Sequence, residues 1–106
     1  MDKAEVIKII KQFQNAIRAR GITPLKIILY GSYASGNYQN GSDIDLVIIS
    51  DDFTGKDYWE RIDILAEVLY EIFAPIEAVA LTKKEWENGD SIVTRFAGNG
   101  EVLFAA

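Results

Sequence analysis

Apolar residues recur every three or four positions from Val6 to Ile17, near the beginning of the chain. This period places them on one side of an α-helix, so the segment is predicted to be an amphipathic helix. Asp2 can cap the start of this helix, and Gly21 followed by Pro24 is typical of a helix end. Its basic residues fall on the opposite side, which is either a solvated surface or a docking surface for a partner.

Three shorter apolar runs are predicted to be β-strands. They cover residues 25–30 (LKIILY), 43–49 (DIDLVII) and 76–81 (IEAVAL). Each has the length of a strand and is bounded by Gly, Pro or polar residues. Helical spacing returns between the second and third runs, and it predicts a helix over residues 58–73.

The helix over residues 58–73 carries more apolar residues than one contact with a sheet requires. We expect its buried stripe to consist of Ile62, Leu65, Ala66, Leu69 and Phe73. Ile64 and Val68 lie well off that stripe. They predict either an interface with a partner or a second contact within the domain, and the sequence does not separate these two alternatives.

The C-terminal quarter predicts two short helices and an apolar tail. Thr82 caps the first helix with Glu85 at the capping-box position, and the second helix begins at Ser91. Residues 101–106 (EVLFAA) are too apolar to remain in water.

Taken together, these elements predict a single α/β domain over residues 1–106, with a small mixed β-sheet and helices packed mainly on one face.

Composition and charge narrow the possible chemistry. The 106 residues include no Cys and no His, which excludes a disulfide framework, a thiolate zinc site and a histidine base. The formal net charge of −5 argues against nucleic acid as a partner, because binding to phosphate backbones depends on clustered Lys and Arg. No apolar run is long enough to span a bilayer and the N-terminal stretch is not signal-like, so we expect no membrane association and a cytoplasmic location.

Gly31 and Ser32 follow the first predicted strand, and Asp43-Ile44-Asp45 begins the second after ten intervening residues. A glycine there allows a phosphate to approach the main chain, and one helical turn over residues 33–36 would direct free N–H groups toward it. Asp43 and Asp45 leave the same side of a strand because side chains alternate. Adjacent carboxylates with no nitrogen or sulfur ligands suit Mg²⁺ or Mn²⁺ bound together with substrate phosphates.

This pattern resembles the signature of the nucleotidyltransferase superfamily that includes DNA polymerase beta, and specifically of minimal nucleotidyltransferase (MNT) proteins. The resemblance extends over most of the chain. It implies a polymerase beta-like fold, Asp43 and Asp45 as ligands of catalytic metal ions, and Gly31 and Ser32 as the residues that bind the triphosphate. It also implies transfer of AMP from ATP to a hydroxyl, most often a tyrosine of a HEPN-type toxin for which the MNT protein is the antitoxin.

The resemblance also requires a third acid on a neighbouring strand, and this chain has Glu77 at that place. We expect Glu77 to be a metal ligand or general base, although its extra methylene loosens its hold on a small ion. Tyr38, in the polar loop, is the aromatic residue we expect to stack on the nucleobase. Oligomerisation is possible.

The sequence departs from the family in its basic residues. Many relatives carry an Arg after the Gly-Ser pair, whereas no Lys or Arg occurs here between Lys26 and Lys56. The metal ions and the loop amides would then carry most of the charge of the triphosphate. Four basic residues are interpreted first as solvated surface charges, with help in neutralising the triphosphate as the alternative: Lys56, Lys83, Lys84 and Arg95. The departure leaves two alternatives open beside the protein adenylyltransferase: an antitoxin that masks its partner with little or no catalysis, and an enzyme that modifies a small hydroxylated molecule.

Overall fold

A four-stranded mixed sheet organises the chain. The computed structural model describes residues 1–89 and 91–106. The helices are α1 (Lys3–Ala19), α2 (Ser32–Ser35), α3 (Tyr58–Ile72), α4 (Lys83–Asn88) and α5 (Ile92–Ala97), with a 3-10 helix at Asp51–Phe53. The strands are β1 (Lys26–Tyr30), β2 (Ile44–Ile49), β3 (Ile76–Leu81) and β4 (Glu101–Ala105). The strand order is β3-β2-β1-β4, with β2 parallel to β3 and β1 antiparallel to its two neighbours. The predicted α/β fold is therefore confirmed.

The two long helices, α1 and α3, cover one face of the sheet. Asp2 caps α1 by accepting a hydrogen bond of 2.9 Å from the N–H of Glu5. The apolar positions of α1 are buried, as their spacing predicts. Arg20 at the end of α1 pairs with Glu67 and Glu71 of α3. The main core lies under these helices, which leaves the opposite face of the sheet more open.

The buried side of α3 differs from the predicted stripe. Leu65 and Val68 are buried and Ile64 packs against the same core, whereas Ala66 is exposed and the side chain of Phe73 is 88 % exposed. The reason is that α3 packs against α1 as well as the sheet, so the positions that face both neighbours are the buried ones. Ile64 and Val68 therefore make the internal contact, and a different set of apolar residues faces solvent.

The second face of the sheet is covered only in part. Ala97 of α5 is buried there against a cluster that includes Ile28 and Val47. The apolar tail forms strand β4, which pairs with β1 and packs Phe104 against the main core. Over the described ranges of the chain, no helix combines the length and apolar character needed to cross a membrane.

Candidate active site

Three strands place Tyr30, Asp45 and Glu77 in one row on the open face of the sheet. Tyr30 of β1 lies opposite Asp45 of β2, and Asp45 lies beside Glu77 of β3. Side chains of directly paired residues project to the same side of a sheet. The flanking residues of β2, Ile44 and Leu46, project to the other side and are fully buried. The row therefore holds two carboxyl groups and one phenol.

The row concentrates negative charge. The pKa of Asp45 is raised from 3.8 to about 6, first by burial, then by the charge of Glu77, a hydrogen bond to Glu77 and the charge of Asp43. Burial also raises the pKa of Tyr30, with further contributions from Asp45 and Glu77. Two carboxyl groups this close must share a proton or receive a cation. The pair formed by Asp45 and Glu77 is thus suited to bind a positive ion.

The chain turns at Gly31 directly against Asp45. Gly31 has φ 71° and ψ −152°, a conformation that residues with a Cβ rarely adopt. Its carbonyl accepts hydrogen bonds from the N–H groups of Ala34 (3.2 Å) and Ser35 (3.1 Å), which begins α2. A Cβ at this position would overlap Oδ2 of Asp45 and lie 3.2 Å from its Cγ. The turn and the aspartate strand therefore meet without space for a side chain.

Ser32 is the first residue of α2, one residue earlier than the predicted helical turn. The first N–H groups of a helix have no partner within it. The N–H groups of Ala34 and Ser35 already donate to the carbonyl of Gly31, so those of Ser32 and Tyr33 are the candidates to meet an anion. The rest of the loop is closed at Ser42, whose Oγ accepts a hydrogen bond of 2.9 Å from the N–H of Gln39. Phosphate binding by Gly31 and Ser32 stays a prediction, made at a turn that adjoins Asp45.

Asp43 precedes β2 by one residue and is exposed. Its charge contributes to the raised pKa of Asp45. Within residues 1–89 and 91–106, no three acidic side chains are already gathered as a cation site. The donor set nevertheless fits Mg²⁺ or Mn²⁺, since it consists of oxygen atoms and two of its carboxyl groups approach each other. Asp43 and the substrate phosphates are the groups available to complete it.

Three of the four basic candidates lie at the wrong end of the sheet. Lys83 and Lys84 follow the end of β3, and Lys56 lines a groove that also contains Leu81. Four residues of strand separate Glu77 from Leu81, a distance of about 13 Å. These lysines are not placed to neutralise a triphosphate beside Asp45. Arg95 lies on α5, which packs on the same face as the row, and it remains a candidate.

The aromatic candidate Tyr38 has a partner within the protein. Its ring stacks on that of the buried Tyr33, with centroids 4.6 Å apart and 20° between the planes. One side of the Tyr38 ring is therefore engaged, and stacking on a nucleobase stays a prediction for the other side. Tyr30 was not among the predicted site residues. Its position directly before Gly31, on the side of the strand opposite Leu29, is the signal that places it in the row.

When no divalent cation is present, Asp45 makes the stability of the protein depend on pH. The pKa of Asp45 is about 6 in the folded protein and 3.8 in the unfolded chain. The contribution of Asp45 to the stability of the folded protein is therefore fully present below about pH 4 and is lost as the pH rises through about 6. In EDTA, we expect Asp45→Asn to raise the Tm above that of the native protein at pH 8, with little difference at pH 4.

Thermal unfolding of both proteins at the two pH values measures this effect. Asp51→Asn, at an exposed position of the 3-10 helix, is the matched control. A difference between native protein and Asp45→Asn that does not change with pH would contradict the proximity of Asp45 to Glu77.

Comparison with known proteins identifies the family. Residues 6–95 match the model of the nucleotidyltransferase domain. A protein of Methanocaldococcus jannaschii, named as a candidate protein adenylyltransferase, is 42 % identical over 73 residues, which are 68 % of this chain and 69 % of that protein. The three strands that carry the row of site residues lie within residues 6–95, whereas strand β4 lies outside them.

Solved structures share the fold. A candidate nucleotidyltransferase from Sulfolobus solfataricus has a TM-score of 0.75 at 13 % identity, over 97 % of this chain and 83 % of that one. A toxin–antitoxin complex with AMP-PNP gives 0.59 at 18 % identity, and an MntA–HpeT toxin–antitoxin variant gives 0.55 at 16 %. Each of these two covers 100 % of this chain and 75 % of the other. The chain belongs to the nucleotidyltransferase domain family and is a nucleotidyltransferase enzyme.

Proposed function

We propose that this protein transfers AMP from ATP to a hydroxyl group of a partner protein, most consistently a tyrosine of a HEPN-type toxin. The relative from Methanocaldococcus jannaschii is named for protein adenylylation, and one structural neighbour is a toxin–antitoxin complex with the ATP analogue AMP-PNP. Another is a variant in which two aspartates, two positions apart, are replaced by glutamate. Asp43 and Asp45 have the same spacing.

The observation that carries this proposal is the contact of the Gly31 turn with Asp45, which lies beside Glu77 on the neighbouring strand. Phosphates bound by the main chain at Gly31 and Ser32 would lie beside these carboxylates. The phosphates and the carboxylates would both be negative, so cations are needed between them. The arrangement therefore supports a substrate that brings phosphate and metal together.

Each residue of the site has a defined part in the transfer. Asp43, Asp45 and Glu77 would hold divalent cations, which would stabilise the charge on the phosphates during transfer of the AMP group. Gly31 and Ser32 orient the triphosphate through main-chain N–H groups. The acceptor oxygen forms a bond to the α-phosphorus, the bond from that phosphorus to the β-phosphate oxygen breaks, and pyrophosphate leaves. The exposed carboxylate of Glu77 accepts the proton of the acceptor hydroxyl.

Labelled ATP tests the proposal. The protein is incubated with α-³²P-ATP, Mg²⁺ and the product of the adjacent reading frame, since a toxin and its antitoxin are commonly encoded together. We expect label on a tyrosine of that product and none when Mg²⁺ is replaced by EDTA. Label retained with γ-³²P-ATP would indicate phosphoryl rather than nucleotidyl transfer, and ATP turnover without any protein acceptor would favour a small hydroxylated substrate.

A further inference from the structure

Helix α3 presents a stripe of apolar residues to solvent. The stripe consists of Trp59, Ala66, Tyr70 and Phe73, and we call it the outer stripe. The exposed fractions of its three aromatic side chains are 69 % for Trp59, 81 % for Tyr70 and 88 % for Phe73. At 3.6 residues per turn, the four positions lie within about 60° of the helix circumference. The core contacts of α3 are made by Leu65 and Val68, with Ile64, Leu69 and Ile72 partly buried against the same core. No member of the outer stripe belongs to this set.

Phe73 is held in a backbone conformation that does not suit it. It ends α3 with φ 56° and ψ 48°, and among the described residues it is the one non-glycine with positive φ. This conformation costs a residue with a Cβ about 1 kcal/mol, and glycine is the usual choice at such a helix end. The exposed ring lies beside that of Tyr70, with centroids 6.1 Å apart. Folding alone would favour glycine, which indicates a role for the ring outside the fold.

The apolar residues on this side of α3 have the spacing of a helix–helix contact. Trp59, Ile62, Ala66, Leu69 and Phe73 are separated by three, four, three and four residues. Ile62 and Leu69 are partly buried, and Leu69 also packs against the core, so they border the outer stripe rather than belong to it. This is the alternation by which two α-helices pack along each other. A groove of about 590 Å³ lies alongside, between α3 and the edge strand β3, and Tyr58 and Ile62 line part of it. An α-helix laid along α3 would cover the outer stripe and the mouth of this groove.

An acidic border runs along the opposite side of the outer stripe, toward α1. Its exposed members are Glu60, Asp63, Glu67 and Glu71. Arg20 pairs with the last two, and the chain as a whole carries a net charge of −5. In a two-fold pair of α3 helices, this border would face its own copy, and like charges would oppose association. The border is complementary to Lys or Arg instead.

We propose that the outer stripe docks an α-helix of the acceptor protein, apolar on the facing side and basic where it meets the acidic border. This inference rests on the proposed function, because it assumes a protein acceptor. The location agrees with it: the N–H of Ile44 donates a hydrogen bond of 2.7 Å to the carbonyl of Pro75, two residues after Phe73. The Phe73 end of the outer stripe therefore lies at the same end of the sheet as Asp45 and Glu77.

Binding measurements with the product of the adjacent reading frame test the docking surface. We expect Tyr70→Lys/Phe73→Lys to raise the Kd by about 30-fold or more, as for removal of central aromatic contacts. Val102→Lys is the matched control, because Val102 is half exposed on β4, across the sheet from β3. Its Kd should equal that of the native protein. Circular dichroism establishes that each variant is folded.

Phe73→Gly separates docking from folding. Glycine relieves the backbone strain at this position, so the Tm should rise while binding of the partner weakens. If Phe73 had only a structural role, the substitution would not raise the Tm and at the same time weaken binding of the partner. Unchanged binding in the double lysine variant, absence of binding by the native protein, or a self-association that Tyr70→Lys abolishes would each overturn the proposal.

Failure of docking and failure of catalysis give different results. Asp43→Asn/Asp45→Asn is expected to bind the partner as tightly as native protein while labelling nothing. If native protein labels its partner and the lysine variants bind equally well, the docking surface is wrong and the proposed function stands. If the lysine variants lose binding but native protein transfers no AMP, the docking surface stands and the proposed function fails.

Discussion

Asp45→Asn should lower the rate of AMP transfer by about a thousandfold or more while the protein stays folded. Asp45 lies against the Gly31 turn and beside Glu77, so its charge adjoins the places assigned to phosphate and cation. An amide of nearly the same shape keeps the packing and removes the charge. Initial rates with α-³²P-ATP and the partner protein, at saturating Mg²⁺, measure the loss.

Two further variants sharpen this result. Glu77→Gln should also reduce transfer, because Glu77 is the nearest neighbour of Asp45 and the assigned proton acceptor. Asp51→Asn makes the same chemical change at an exposed position outside the row and should leave the rate unchanged. If Asp45→Asn transfers AMP at the same rate as Asp51→Asn, Asp45 is not part of the active site.

Gly31→Ala should abolish transfer and lower the free energy of unfolding by about 1–3 kcal/mol. The added methyl group must occupy a backbone conformation that favours glycine and must displace the carboxyl of Asp45. Gly41→Ala is the matched control, because Gly41 also has positive φ, 87°, but a Cβ there meets nothing within 4 Å.

Comparing Gly31→Ala with Gly41→Ala separates the effect of backbone strain on stability from the effect of the Gly31 turn on transfer. Both alanine variants should be less stable than native protein, as measured by chemical denaturation, but Gly41→Ala should retain transfer when rates are taken per folded molecule. Equal activity losses in the two variants would show that loop strain alone limits the enzyme. Full activity in Gly31→Ala would show that the turn does not position Asp45.

The elements of the fold were predictable because each depends on local patterns. The helical period from Val6 to Ile17 and the three apolar runs require only side-chain alternation and turn residues. Strand β4 was predicted only as a tail that avoids water, since its pairing with β1 is a long-range contact that a local pattern does not encode. The order of the strands likewise depends on long-range pairing, and the sequence pointed to it only through the polymerase beta-like fold that the resemblance implies.

The buried side of α3 shows where the local pattern fails. Apolar residues of α3 occur on most sides of the helix, so the sequence pattern alone fits several alternative buried stripes. The packing of α1 selected Leu65 and Val68 for the core and left Phe73 outside. An excess of apolar residues was visible in the sequence, but which of them face a partner depends on tertiary structure.

In the site, the contacts of Asp45 follow from register. The loop of residues 31–43 sets the pairing of Tyr30 with Asp45, and the parallel pairing with β3 brings Glu77 to the other side. A motif gives the residue types but not these neighbours, which is why Tyr30 was missed. For Lys56, Lys83 and Lys84 the sequence left open whether they are surface charges or help to neutralise the triphosphate, because sequence distance does not reveal the end of the sheet at which a residue lies.

The binding of Mn²⁺ together with AMP-PNP tests the central claim most directly, since it needs neither a partner nor turnover. Electron paramagnetic resonance of free Mn²⁺ reports how many ions the protein and nucleotide take up. We expect native protein to bind Mn²⁺ far more tightly with AMP-PNP than without it, and we expect Asp45→Asn and Gly31→Ala to lose this enhancement while Asp51→Asn keeps it. Equal uptake of Mn²⁺ by native protein and Asp45→Asn, at any nucleotide concentration, would contradict this claim.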